Sequence, residues 1–258
     1  MHTRATVAVI SAALGISALT APTALAKDAP RAQLSDTTVS NVVVNEGKPV
    51  SVGTTTKRKI TVTFTAGDSS GIRFALASLW RGKSYETLTN ILVGDTTYAM
   101  CGSGSKPVCK QTFTVDPGIL SNEDAGTWRV WVTAYGTDLS SVEKENTASF
   151  SIKRTATLST NASPEPVASG STLTVSGTLR RANWTLGSYT GYSGQPVALQ
   201  FRRSGSSTYS TVKTVKTDSE GKLRTKVKAS RDGTYRFSFA GTSTTAPANA
   251  GGDSVDVR

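Results

Sequence analysis

A serine three residues ahead of a lysine is the spacing at which an amine can lower the cost of deprotonating a hydroxyl. It occurs at Ser103 with Lys106, Ser141 with Lys144 and Ser219 with Lys222. An acyl-transfer enzyme of that type would also carry K-T-G and S-D-N elements, which this sequence lacks, and glycines flank two of the three pairs. Glu123 and Asp124 are the most conspicuous pair of acids, but glycoside cleavage needs two carboxyl groups facing each other ~5 to 9 Å apart. Neighbours on a turn do not converge on one bond. The chain's one histidine is His2, so beyond the first residues no Ser-His-Asp or Cys-His system, His-ligated zinc or imidazole switch can be built. The expectation is a protein that is not an enzyme, with a hydrolase as the remotest alternative.

Two other kinds of chemistry remain. Hard oxygen ligands for calcium could come from Asp68 in GDSSG or from Asp218 and Glu220 in DSEG, although neither loop has an EF-hand progression and Asp-Ser-Gly runs are ordinary turn chemistry. No cofactor is expected, with calcium as the alternative. Cys101 and Cys109 enclose GSGSKPV; an even count at close spacing reads as one disulfide pinning a local hairpin in an oxidising compartment.

Binding chemistry is concentrated near the C-terminus. In RRANWTLGSYTGYSG, Arg180, Arg181, Trp184, Tyr189 and Tyr192 lie in a glycine-rich connection. Exposed aromatics there would stack on sugar rings, and the arginines would pair with carboxylate or phosphate; alternatively Trp184 folds back to cap a core. Lys213 and Lys216 lie on one expected strand, and Lys222, Arg224, Lys226 and Lys228 alternate along the next. Alternation places those four on one solvent face, as a polyanion-binding surface or as a guard against edge-to-edge aggregation.

These residues are carried by β-strands. The first 26 residues hold one arginine, Arg4, an apolar run from about Val7 to Leu19 and the small-residue stretch TAPTALA. That is the pattern of a secretory leader cleaved after Ala26, too short to span a bilayer. Removing it takes one of the 29 basic residues and none of the 18 acidic ones. The surplus is uneven: residues 27–154 carry a net +3 and residues 155–258 a net +7. A basic half outside the cell favours an anionic cell-wall polymer or polysaccharide. No nucleic-acid reading motif is present.

Past the leader, short alternating runs end in Gly, Asp, Asn or Pro. Ile60, Val62, Phe64 and Ala66 share one face; so do Trp128, Val130, Val132 and Ala134, and Ala148, Phe150 and Ile152. Beyond SPEP the same habit returns at Leu173, Val175 and Leu179, then Val197, Leu199 and Phe201, then Leu223 and Val227, then Tyr235, Phe237 and Phe239. The expectation is all-β, two tandem sandwich domains over 27–154 and 155–258, each with about seven strands. PVSVG at Pro49 matches PVASG at Pro166, and DAGTWRV at Asp124 matches RDGTYRF at Arg231.

The element around Asp124 resembles the corner before strand F of immunoglobulin domains, with Trp128 in the tyrosine slot and Val130 in the cysteine slot. SPEPVASGSTLTVSGTL, PVALQFRR and DGTYRFSFAG resemble bacterial immunoglobulin-like modules of secreted actinomycete proteins. VNEGKPVSVGTTTKRKITVTFTAGDSSGI is similar to the module preceding them. The resemblance implies fold and export and transfers no catalytic or binding residue.

Overall fold

Alternation in residues 36–66 and 108–154 puts one apolar face per strand against a partner sheet, and this builds the first sandwich. The computed structural model describes residues 36–258; the leader expected at 1–26 lies outside the described residues. The first nine strands are β1 (Thr38–Val44), β2 (Val50–Val52), β3 (Arg58–Gly67), β4 (Ile72–Gly82), β5 (Leu88–Val93), β6 (Met100–Cys101), β7 (Val108–Val115), β8 (Gly126–Gly136) and β9 (Ser141–Arg154). One sheet has the order β1-β3-β7-β6 and the other β2-β9-β8-β4-β5, with β2 parallel to β9 and the remaining pairs antiparallel. A four-stranded sheet that begins with the N-terminal strand, facing a sheet in which β4, β8 and β9 lie side by side with β8 between the other two, is the immunoglobulin-type arrangement.

Its core contains the residues that alternation singled out: Ile60, Val62, Phe64 and Ala66 from β3 against Trp128, Val130, Val132 and Ala134 from β8. At the corner before β8, the Trp128 Nε1 donates to the Asp124 carbonyl at 2.8 Å, the backbone hydrogen bond that a tyrosine makes at this corner in antibody domains. Asp124 is itself buried, and its carboxylate accepts from the Ser121 amide at 2.7 Å and the Ser121 hydroxyl at 3.0 Å. Val130 is fully buried in the cysteine slot.

The second sandwich follows with β10 (Ala156–Leu158), β11 (Asn161–Ser163), β12 (Thr172–Asn183), β13 (Ser188–Gly191), β14 (Pro196–Arg203), β15 (Ser210–Lys216), β16 (Lys222–Lys228), β17 (Gly233–Phe239), β18 (Ala248–Asn249) and β19 (Asp253–Val255). One layer is centred on β12, which pairs with β10, β11, β13 and β16; the other runs β15-β14-β17-β18 with β19 also on β17. Leu173, Val175, Leu179, Val197, Leu199, Leu223 and Phe237 fill the space between. The chain is therefore all-β, with two tandem immunoglobulin-like sandwiches. The strands outnumber the expected seven per sandwich because short segments pair with separate stretches of one long strand: β10 and β13 on the far end of β12, β11 on its near end.

That far end of β12 crosses into the first sandwich. Ala182 and Trp184 belong to the first core and Tyr189 packs against it. The Trp184 Nε1 donates to the Gly53 carbonyl at 2.9 Å, and Asn122 bonds both the Trp184 amide, at 3.0 Å, and the Asn183 side chain, at 2.8 Å. From the other side, the loop after β17 docks on the end of β9: the Arg154 amide donates to Thr244 at 3.0 Å, the Ala246 amide to Arg154 at 2.9 Å and the Lys153 ammonium to Thr242 at 2.8 Å. The Arg154 guanidinium is buried and donates to the Ala182 carbonyl; burial first, then the nearby charge of Arg181, pulls its pKa down to about 10.

Candidate functional site

Of the two positions the sequence allows Trp184, it takes the core cap. Indole burial inside the first core removes Trp184 from solvent, because its polar N–H finds carbonyl partners at Val52 and Gly53 and its ring finds apolar neighbours. The expected open connection is instead the hairpin β12–β13, with Arg181 opposite Thr190 and Ala182 opposite Tyr189. Tyr192 packs on the second core, and the Arg181 guanidinium lies 3.8 Å from its ring centre. Of the five residues, Arg180 stays exposed. Trp184 and Tyr189 thus pack on the first core, and Tyr192, under the Arg181 guanidinium, packs on the second.

The oxygen atoms considered for calcium are already engaged. Asp68 is buried and accepts from the Ser70 hydroxyl at 2.6 Å and the Ser70 amide at 2.8 Å on one oxygen, and from the Thr37 and Ser140 hydroxyls at 2.7 Å on the other. The Ser70 hydroxyl leads in holding this carboxyl well below the usual carboxylate range, against the opposing effect of burial. Asp36 and Asp138 stand beside it, each accepting a backbone amide. Asp218 closes its turn through the Glu220 and Lys222 amides at 2.9 and 2.8 Å, and Glu220 pairs with Lys222. Of the serine–lysine pairs, Lys144 is spent on the Val39 carbonyl at 3.1 Å and Lys222 on Glu220. Glu123 is exposed while Asp124 is buried, so the two do not face one bond. Cys101 and Cys109 are disulfide-bonded, directly opposite each other on β6 and β7.

Lys222, Arg224, Lys226 and Lys228 all lie exposed on the outward face of β16, paired across to Thr178, Ser176, Thr174 and Thr172 of β12. The last of them also reaches a groove that the sequence reading did not identify. β15 and β16 are the facing margins of the two sheets and do not pair with each other, so the sandwich opens between them. The opening holds about 680 Å³ and is lined by Arg203, Lys213, Lys228 and Arg231, by the hydroxyls of Ser206, Thr208, Ser210 and Ser230, and by Phe201, Val212, Val227 and Tyr235. The Phe201 and Tyr235 rings lie 4.7 Å apart on its floor. Gly233 permits that floor, since a β-carbon there would fall 2.3 Å from the Phe201 ring.

Among the described residues no carboxylate lines this groove or lies within ion-pair distance of its four cations. Desolvation raises the Tyr235 phenol above its ordinary pKa, so it stays a neutral hydroxyl at physiological pH. Behind the groove, on β14 and β17, Arg236 and Arg202 lie 3.7 and 5.1 Å from the Tyr209 ring centre. The signal for the groove was present in the sequence as Arg203, Lys213, Lys228 and Arg231; their convergence depends on strand order, which alternation does not reveal.

No family model matches the chain, and no curated protein matches it. Solved structures with some likeness include the Escherichia coli adhesin FdeC, at 16% identity and a TM-score of 0.35, over 86% of this chain and 64% of that one. The D00-D0 domain of intimin gives 11% and 0.26 over 84% and 99%, and a membrane-anchored protein from Corynebacterium diphtheriae 12% and 0.28 over 86% and 59%. PorU from Porphyromonas gingivalis is matched over 20% of its length at a TM-score of 0.31. Similarity at this level carries no argument about function, and the fold rests on the strand order above. Fold and groove together define a class: a tandem immunoglobulin-like β-sandwich chain with a cationic cleft in its second sandwich.

Proposed function

We propose that this chain is an exported, non-enzymatic binding protein that docks on an anionic polymer of the cell envelope through its second sandwich. The carrying observation is the groove between β15 and β16, where Arg203, Lys213, Lys228 and Arg231 converge on a hydroxyl-rich, aromatic-floored opening whose own lining holds no carboxylate. Cations of this kind attract a polyanion over a Debye length and fix it by charge-assisted hydrogen bonds at contact. The row from Lys222 to Lys228 on the adjoining face extends the same positive field along β16.

Export is supported by the leader pattern at residues 1–26 and by the Cys101–Cys109 disulfide, which persists in oxidising compartments. In this reading residues 27–154 and 155–258 are the two domains. Among the described residues no helix is long and apolar enough to cross a membrane.

The experiment is retention of the full mature chain on whole cell walls, walls stripped of teichoic acid and purified acidic polysaccharides, from low to high salt. Retention should fall steeply as the Debye length shrinks from ~10 Å at 0.1 M to ~3 Å at 1 M. The double variant Lys228→Glu, Arg231→Glu should lose most of it while keeping the wild-type melting temperature. Retention that survives high salt, or that the double variant leaves unchanged, would sink the proposal.

A further inference from the structure

A second cationic cleft lies where the two sandwiches meet, outside the site just described. Its walls are the β4–β5 hairpin, which supplies Arg81, Lys83, Thr87 and Thr89, the corner at Ala125–Thr127 with Arg129 beyond it, and Ser243 and Thr244 from the second sandwich. It encloses about 620 Å³, and among the described residues no carboxylate lines it.

The two arginines are held in place by backbone. The Arg81 Nη1 donates to the Thr127 carbonyl at 2.9 Å, and the Arg129 Nη1 to the Gly82 carbonyl at 2.7 Å, with its guanidinium 5.1 Å from the Trp80 ring centre. A guanidinium has five N–H donors, so one such bond orients the group and leaves others to offer. Gly126 sits between them with φ +124, a conformation that disfavours any side chain, and a β-carbon there would lie 3.3 Å from Arg81 Nη1 and 3.7 Å from Thr244 Cγ2. The bare backbone keeps the passage between the arginine and the second sandwich open. The opposite wall is equally fixed, because the Thr244 carbonyl takes the Arg154 amide at 3.0 Å.

We infer that this cleft is a binding site for an oxyanion carried on a polyhydroxyl body, such as a sugar acid or a polyol phosphate, touching both sandwiches at once. The guanidinium forks of Arg81 and Arg129 meet the two oxygens of a carboxylate or phosphate. Lys83, exposed on the hairpin, adds charge at the mouth. Thr87, Thr89, Ser243 and Thr244 line the same cleft and make its walls polar toward a hydroxylated ligand. Because it spans the joint, an occupant binds the intact arrangement and not a separated one, and so stabilises it by mass action.

The test is calorimetric titration of the full mature chain at low ionic strength with three probes: digalacturonate, glycerol phosphate and a neutral disaccharide. Binding of one or both anions and not of the neutral sugar is expected, and the preferred anion distinguishes carboxylate from phosphate. Lys83→Glu, on an exposed side chain, should weaken that binding about tenfold and remove the rise in melting temperature that ligand produces. Arg81→Gln should weaken it further. Lys228→Glu with Arg231→Glu should leave it within twofold, which separates this cleft from the groove between β15 and β16. Binding unchanged by Lys83→Glu and Arg81→Gln, binding lost in the Lys228→Glu, Arg231→Glu variant, or no anion bound at all would each overturn the inference.

Discussion

Trp128 shows how much a single side chain settles. Its ring fills the first core and its N–H satisfies a carbonyl, Asp124 O, that the corner would otherwise leave without a partner. Trp128→Phe keeps most of the apolar volume and removes the donor, so it should cost about 1–3 kcal/mol in urea unfolding, most of it from the stranded carbonyl. The matching position in the second sandwich, Tyr235, lies instead on the groove floor against Phe201, so the repeat preserves the aromatic and changes its use.

Asp68 gives a pH prediction at the same scale. Its folded-state pKa is depressed, led by the Ser70 hydroxyl, so its contribution is present above the unfolded carboxyl value of ~3.9 and is lost as pH falls below that toward the folded value. Unfolding measured from pH 6 to pH 2 should show stability declining below about pH 4 in the wild type. Asp68→Asn should be less stable at pH 6 by about 2–3 kcal/mol, since a buried acceptor that receives hydroxyl and amide donors becomes partly a donor, and should show a shallower acid decline. Equal acid slopes in the two proteins would contradict this account. The sequence offers Asp68 as a calcium ligand or an ordinary turn residue; its partners, Thr37 and Ser140, lie outside GDSSG and cannot be read from it.

At the scale of elements, strands with one wet face were legible and strands with two apolar faces were not. β3 and β17 alternate cleanly, and their inward residues are those found in the cores. β4 gives no such signal, because Ala75, Ala77 and Leu79 face the core while Phe74, Leu76 and Trp80 occupy the outer face. Phe74 stacks 4.6 Å from Tyr135, and Tyr85 stands edge-on to Trp131 at 3.9 Å. A two-sided apolar strand has no period-two signal.

The β12–β13 hairpin is not legible for another reason: its glycines and tyrosines read as a connection, and the sequence admits Trp184 both in a binding face and as a core cap. Its hydrogen-bond acceptors are in β2 and the residue after it, far back in the sequence. The β6–β7 hairpin, by contrast, was announced by its cysteines. Reducing Cys101–Cys109 should lower the stability of the first sandwich by up to ~3 kcal/mol, seen as a lower melting temperature with reductant. Identical melting curves with and without reductant would mean the strand pairing alone holds the hairpin.

For the whole molecule the decisive region is the joint. Trp184→Ala removes a large buried ring and the one indole N–H shared between the Val52 and Gly53 carbonyls, so it should cost about 3–5 kcal/mol and should loosen the mutual orientation of the sandwiches. Small-angle scattering should then show a broader distance distribution for the variant than for the wild type; coincident curves would locate the rigidity elsewhere, in the Arg154–Thr244 contacts. The groove between β15 and β16 lies in the second sandwich, away from Trp184, so salt-sensitive retention should persist in a Trp184→Ala protein that still folds.

The loan of Trp184 also bears on how such a chain can change over generations. Tandem modules are usually free to be duplicated, excised or exchanged as beads on a string, because each closes its own interior. Here a gene that lost everything after Thr155 would encode a first sandwich missing Ala182 and Trp184 from its interior and facing water through the gap. A gene that kept only the later part would encode a hairpin ending in a naked indole. A recombinant that grafts either sandwich onto a stranger therefore loses the contribution of that ring unless the stranger supplies a replacement.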